Sequence, residues 1–208
     1  TLNVNDVRSS IAWLLGLENI GLPISDRYIE GVVEVMFDAI HNCQETLNQE
    51  RLFAWHTALF PHSNKLHHIT IGDWRKSESS MQVVSGRYGT EKVHYEAPPS
   101  QEVPQMMNDF LKWLHEEQHT DTLLMAAIAH LWFVTIHPFS DGNGRMSRTI
   151  MDMLLAKSDK TPYRFYSMSA AIARDRKNYY DVLEKTQKGN LDISDWLFWF
   201  LERLDEAL

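Results

Sequence analysis

Residues 121–148 read DTLLMAAIAHLWFVTIHPFSDGNGRMSR, and the fold turns on how this stretch divides. From Thr122 to Ile136 there is no Asp, Glu, Lys or Arg, and apolar residues occupy nearly every side of a helical wheel. A surface helix keeps one polar face, whereas a helix that is apolar all round has to be enclosed by others. The stretch therefore predicts a helix buried in the middle of a bundle. Pro138 ends it, because its ring removes a donor and clashes with the preceding turn. His130 is expected to be a hydrogen-bonded core histidine, and His137 is left at the mouth of the bundle.

Other segments supply the surrounding helices. In DRYIEGVVEVMFDAIHN (26–42) Ile29, Val32, Val33, Met36, Phe37 and Ile40 recur at helical spacing, with Ser25 as the expected cap. Val103, Met106, Met107, Phe110, Trp113 and Leu114 repeat the pattern, as do Ile193, Trp196, Leu197, Phe200 and Leu204. One region breaks it. Between residues 69 and 99 lie ITI, MQVVSG and KVHYEAPP, punctuated by Gly72, Gly86 and Gly89, which read as a hairpin or extended flap beside the helical body. The expectation is a single, mainly α domain over residues 1–208 with one small β flap.

Bulk properties narrow the function classes. With 44% apolar and 23% charged residues the chain reads as a folded domain rather than a disordered one. A net charge of −8 argues against a general nucleic-acid surface. The one cysteine, Cys43, rules out an intrachain disulfide and fits a reducing, cytoplasmic setting, with the thiol filling space. No run of about 18 uncharged apolar residues predicts a membrane span. Thr1 in place of an initiator Met, with no signal-peptide pattern, implies trimming upstream.

The chemistry concentrates in HPFSDGNGRMSR, residues 137–148. Gly142-Asn143-Gly144 precedes a helix-forming run, RMSRTIMDMLLAK. A tight turn opening a helix presents converging, unpaired N–H groups at a positive dipole end, which is an anion site suited to phosphate. Arg145 and Arg148, three apart, project from neighbouring positions and suit a polyphosphate. Asp141 is a hard oxygen ligand where Mg²⁺ would bridge phosphate oxygens. His137 offers a base near neutral pH. Together these are the parts for in-line attack on a nucleotide phosphate.

The motif is similar, at every defined position, to the Fic family signature His-Pro-Phe-x-Asp-Gly-Asn-Gly-Arg-x-x-Arg. VVSGRYGTEKVHYEAPP (83–99) resembles that family's flap, HLWFVTI (130–136) its buried helix, and RKNYYDVLEKTQKG (176–189) the segment lining its nucleoside pocket. The resemblance implies a Fic-fold helical bundle that transfers AMP from ATP, with Mg²⁺, to a Ser, Thr or Tyr hydroxyl of a protein, itself included, releasing pyrophosphate. His137 takes the proton of the attacking hydroxyl and Asp141 holds Mg²⁺. Gly142, Asn143 and Gly144 cradle the phosphates, and Arg145 and Arg148 hold their β/γ end. Phe139 belongs to the same loop as the packing residue that fixes it. Tyr179 and Tyr180 lie beside the adenosine, with Gln187 where many relatives place an asparagine. Val93, His94 and Tyr95 of the flap clamp the target by strand-like backbone bonding.

The resemblance also implies regulation by a helix carrying Ser/Thr-x-x-x-Glu-Gly/Asn, whose glutamate pairs with the second motif arginine, here Arg148. The near match SDRYIEG, with Glu30, has Asp26 four residues earlier and reads as a decoy. The inhibitory segment is expected upstream of Thr1 or on a partner chain, and a homodimer is compatible with the sequence. Relatives also carry further domains after the position of Leu208.

Three readings compete. HEEQH, residues 115–119, fits His-Glu-x-x-His, but it sits at a polar helix end, and no glutamate occurs between Glu117 and Glu184 as a downstream ligand, so a zinc protease is disfavoured. His67-His68 reads as surface or loop packing. Fic-type transfer of another phosphate-containing group, or a non-catalytic helical regulatory module, remains as the alternative. The intact Gly-Asn-Gly favours AMP, and a non-catalytic module has no use for His137 and Asp141 beside phosphate clamps.

Overall fold

The computed structural model describes residues 27–61, 69–76, 81–85, 92–117, 119–159 and 165–208, together with Val7 and Ile11. The expected cap Ser25, Asp26 of the near match, His67, His68, Gly86 and Gly89 lie outside them. In chain order the elements are α1 (Arg27–His41), α2 (Gln49–Ala58), β1 (Gln82–Ser85), β2 (Lys92–Glu96), α3 (Val103–Glu116), α4 (Thr122–Ile136), α5 (Asn143–Asp159), α6 (Met168–Arg174), α7 (Arg176–Lys188) and α8 (Ser194–Asp205). The fold is mainly α with one small antiparallel sheet, as the sequence predicts.

Helix α4 is the centre of the bundle. Asp121 caps it by accepting the Leu123 N–H at 2.8 Å, and Met125, Ala126, Ala129, Leu131, Phe133 and Ile136 are buried along its length. It packs chiefly on α5, and also on α3 and α8. The all-round apolar character of its sequence is explained by these neighbours. Trp196 of α8 donates from Nε1 to the Ala127 carbonyl at 2.8 Å, so this large indole is buried with its one polar atom satisfied. His130 is fully buried and shares a 3.0 Å hydrogen bond between Nε2 and the Tyr179 hydroxyl, as expected of a core histidine.

Helix α3 buries Val103, Met107 and Phe110, in line with its stripe, and carries Pro104 in the first turn, where a missing N–H costs nothing. The face of α1 differs from the expectation. Met36 is exposed, while Val35 and Ala39 are buried. Gly31 explains it: a Cβ there would lie 1.9 Å from the Ala58 carbonyl oxygen, so α1 and α2 meet backbone to backbone at this point. Gly31, Val35 and Ala39 follow at intervals of four and form the contact ridge. A pattern built from large apolar residues overlooks a face set by small ones.

In the flap, β1 and β2 pair antiparallel with Val83 opposite Tyr95 and Val84 opposite Val93. His94 is the extra residue of a bulge, and bulges re-aim side chains. Its imidazole reaches off the sheet to Glu184 of α7, Nδ1 to Oε2 at 2.6 Å. The Tyr95 hydroxyl donates to the Thr135 carbonyl at 2.8 Å, fastening the flap to the end of α4.

The zinc-protease geometry does not form. Helix α3 ends at Glu116, so His115 and His119 do not share a helical face. Glu117 instead accepts the backbone N–H groups of His119 and Thr120. Among the described residues no group of three or more His, Cys, Asp or Glu could hold a metal ion, and no helix is long and apolar enough to cross a membrane. Cys43 is half-buried against the core.

Candidate active site

The loop between α4 and α5 is built by its own residues. His137 follows α4 in the left-handed region, φ 52° and ψ 56°, the one described non-glycine residue with positive φ. That conformation costs about 1–2 kcal/mol for a residue with a Cβ and persists only where surrounding bonds over-determine it. Here the His137 N–H donates to the Phe133 carbonyl at 3.0 Å, and Nδ1 lies 3.1 Å from the Val134 carbonyl oxygen. A carbonyl only accepts, so Nδ1 carries the proton and Nε2 keeps its lone pair. Burial pushes the His137 imidazole below its ordinary value of 6.5, the Val134 hydrogen bond opposes this, and the Arg75 cation adds to it. The ring is neutral at pH 7, with Nε2 ready to accept a proton.

Gly142 adopts φ 81°, and a Cβ there would meet the Phe60 ring at 2.9 Å, so both conformation and space call for glycine. Gly144 carries no such strain. Asn143 opens α5 and is 2% exposed. Its Oδ1 accepts the Phe139 N–H at 2.9 Å and its Nδ2 donates to the Phe139 carbonyl at 2.8 Å. The Asn143 side chain is thus buried and bonded at both its oxygen and its nitrogen inside the loop, and what it offers a phosphate comes from its backbone N–H. Phe139 is fully buried, stacked on His56 at 4.0 Å and tilted against Trp74 at 5.1 Å. It holds the loop from behind, as a packing residue, with no face toward a ligand.

A cavity of about 430 Å³ opens in front of this loop. His137, Gly144 and Arg148 line one side, Tyr179, Tyr180 and Gln187 of α7 another, and His94 and Tyr95 of the flap the third. Residues far apart in the chain, singled out by motif or resemblance, therefore share one concave site. Their contributions differ. Tyr180 is 46% exposed, with the Arg176 guanidinium 5.6 Å over its ring, whereas Tyr179 is buried, bonded to His130, and its hydroxyl pushed up to about 12 by that burial. Gln187 donates from Nε2 to the Thr135 hydroxyl at 3.1 Å, which leaves its carbonyl oxygen for a ligand. Of the flap trio, His94 and Tyr95 are tied to the body, and Val93 is 42% exposed.

The two arginines part company. Arg148 faces the cavity. Arg145 lies over the Phe60 ring at 4.4 Å, donates to the Tyr28 hydroxyl at 3.4 Å, and sits 4.0 Å from the Asp141 carboxylate. Three residues along a helix leave an offset of about 60°, enough to turn one toward the cavity and the other toward α1 and α2. Asp141 is 59% exposed; Oδ1 accepts the Gly142 N–H, and Oδ2 is turned toward Arg145. One carboxylate oxygen near the N-terminus of α5 fits Mg²⁺, which is ordinarily held by one or two carboxylates, with phosphate and water completing its shell. Glu30 is in the first turn of α1.

Two braces were not legible in the sequence. His56 of α2 is fully buried; its Nδ1 accepts the Gly72 N–H at 3.1 Å, so Nε2–H donates to the Asp141 carbonyl at 3.1 Å. Burial keeps it neutral. Arg75, 2% exposed, donates to the His137 carbonyl at 2.7 Å and to the Pro98 carbonyl. Each directly follows a tryptophan, the one hint available, and neither belongs to a motif.

The Fic/DOC family model matches residues 46–155. A protein adenylyltransferase Fic of Aedes aegypti is 38% identical over 88 residues, covering 41% of this chain and 16% of that protein. A probable protein adenylyltransferase of Aquifex aeolicus is 28% identical over 103 residues, covering 50% of this chain and 30% of its own length. The chain thus spans less than a third of these curated relatives. Among solved structures, a Fic family protein from Desulfovibrio desulfuricans superposes with a TM-score of 0.66 at 25% identity, over all of this chain and 58% of that one. IbpAFic2, solved covalently tethered to Cdc42, shares the fold with a TM-score of 0.61 at 14% identity, over 99% of this chain and 63% of its own. With its family model, its buried central helix and its HPFSDGNGR loop in agreement, the chain belongs to the Fic/DOC family.

Proposed function

We propose that this chain transfers AMP from ATP to a hydroxyl side chain of a protein, with release of pyrophosphate. The observation that carries this reading is the convergence of a neutral His137 having a free Nε2, the α5 N-terminus with Arg148, and the α7 tyrosines on one cavity of about 430 Å³. A nucleotide seated there has its phosphates at the N-terminal end of α5, beside Gly144 and Arg148, and its base against Tyr180 and Gln187. The protein hydroxyl approaches along β2. In a two-stranded sheet each strand keeps one edge without a strand partner, and such an edge takes up an extended segment by backbone bonding.

His137 Nε2 accepts the hydroxyl proton as the oxygen attacks the α-phosphorus; the P–O bond to the β-phosphate breaks and pyrophosphate leaves. Arg148 and the N–H groups opening α5 stabilise the charge that develops on the phosphates. Asp141 would hold Mg²⁺, which supplies neutralisation of phosphate charge when bound. A protein target is supported by the structural neighbour solved with Cdc42. Inhibition by a segment upstream of Thr1 or on a partner chain belongs to the same reading, as does a cytoplasmic setting. A longer chain extending upstream would then label less than this one.

The test uses ATP carrying label at either the α- or the γ-phosphate, incubated with the chain and a cell lysate, and read by gel and mass spectrometry. Label from the α-phosphate is expected on protein, as an AMP adduct. Protein labelled from the γ-phosphate instead would make the chain a kinase.

A further inference from the structure

Residues 71–76 carry no motif, yet they contribute Arg75, an arginine only 2% exposed. The Arg75 side chain donates from Nε to the His137 carbonyl at 2.7 Å, and from Nη2 to the Pro98 carbonyl and, at 3.5 Å, to that of Ile136. Its backbone N–H donates to the Pro138 carbonyl at 2.9 Å. No carboxylate forms an ion pair with it among the described residues. Its counter-charge is the C-terminal end of α4, where the last carbonyls have no intrahelical partner and the helix dipole is negative.

We propose that Arg75 is the positioning residue for His137: it clamps the carbonyls on both sides of the Ile136–His137–Pro138 turn and ties that turn to the base of the flap at Pro98. The reason lies in the backbone. His137 is held in the left-handed region, and relaxing to an ordinary φ would swing its carbonyl away from Nε of Arg75. The same rotation would carry the ring off the Val134 carbonyl, and that 3.1 Å bond is what keeps the proton on Nδ1 and Nε2 bare. Arg75 thus governs where Nε2 points and which nitrogen is free. Because one guanidinium serves both the catalytic turn and Pro98, just after β2, it also fixes the spacing between the base and the strand presenting the hydroxyl. Trp74, packed on Phe139, anchors the same segment to the loop from the other side.

This role rests on the AMP-transfer reading, so the test has one arm that needs activity and one that does not. Arg75→Met removes every side-chain donor, and Arg75→Lys keeps the charge with a single end-on donor group. In the activity arm, Arg75→Met is expected to lower kcat by about 10- to 100-fold, the scale for misplacing a catalytic group by about 1 Å. KM for ATP should stay within about twofold, because the phosphate end is braced separately by Asn143 and His56, and Arg75→Lys should recover part of kcat. An unchanged kcat, or kcat falling only as KM rises, overturns the proposal.

In the second arm the His137 ring nitrogens are followed by NMR against pH without nucleotide. The groups that face this ring are Arg75, Asp141 and, across the cavity, Arg148. In Arg75→Met the titration moves upward and the fixed Nδ1–H tautomer is lost; a titration and tautomer identical to the unaltered protein overturn the proposal. If the unaltered chain moves no AMP, the transfer reading fails by itself and the ring titration still decides Arg75. Should neither variant fold, the Arg75 Nε–H signal of the unaltered protein decides. Slow exchange with solvent supports the clamp, and rapid exchange overturns it.

Discussion

Replacing Asn143 by alanine separates two roles that the motif leaves merged, brace and ligand. The side chain makes bonds of 2.9 and 2.8 Å to the N–H and C=O of Phe139, and both residues are buried, Asn143 to 2% exposure and Phe139 completely. Truncation leaves one backbone donor and one acceptor buried without partners, at about 1–3 kcal/mol each, so a total of about 2–6 kcal/mol is expected. In a domain of this size each kcal/mol moves Tm by about 2–4 °C, so even the lower bound gives a shift of about 4–8 °C. Asn143→Asp is the control. It still accepts the Phe139 N–H but sets a carboxylate against the Phe139 carbonyl, and is expected to cost at least as much. Thermal and urea unfolding of nucleotide-free protein read both directly. A phosphate ligand with no structural task would leave the apo protein unchanged, so an Asn143→Ala variant within about 0.5 kcal/mol of the parent would refute the brace.

Other outcomes follow from the same geometry. His137→Ala should lose at least about 10²-fold in transfer rate, the usual effect of removing a general base, while apo unfolding moves little; retained α-phosphate labelling would end the proposed mechanism. The acid limb of kcat/KM should fall below pH 6.5, because burial lowers the His137 value and the base form is lost only beneath it. A limb above 6.5 would contradict the buried, neutral ring. His130 is held down to about 3 by burial. The unfolded chain binds that proton below about 6.5 and the folded chain does not, so its contribution to stability is complete above 6.5 and is lost as pH falls from there toward 3. The loss is about 1.4 kcal/mol per pH unit. His130→Gln should flatten the stability profile between pH 6.5 and 4.5, and parallel profiles would disprove the assignment. Gly142→Ala should destabilise the loop by about 1 kcal/mol or more, from positive φ and the Phe60 contact at 2.9 Å, measured by urea unfolding; a neutral effect would mean the turn relaxes freely.

What the sequence disclosed and what it concealed divide along a physical line. The central helix, its end at Pro138 and the twelve-residue loop were legible because each depends on neighbours a few positions away: an unbroken apolar wheel, a proline, glycines before a helix. The small-residue ridge of α1 was not, since Gly31 acquires its meaning only from the Ala58 carbonyl that lies against it.

The catalytic loop repeats the lesson at closer range. His137, Gly142 and Asn143 can be named from spacing, yet the groups that make them usable come from elsewhere. His56, 85 residues before Asp141, fixes that backbone by a tautomer that only its second partner, Gly72, determines. Arg75, 62 residues before His137, supplies the bond that holds a left-handed turn. Such contacts carry no periodicity, because a single polar side chain satisfies a carbonyl wherever the chain brings the two together. They also bear the strain, since a residue with a Cβ at φ 52° stays there only while its carbonyl is held. Chemistry in this fold is therefore encoded twice. The motif supplies the reacting groups, and unpatterned buried residues on α2 and the segment after it keep those groups in a conformation they would not adopt alone.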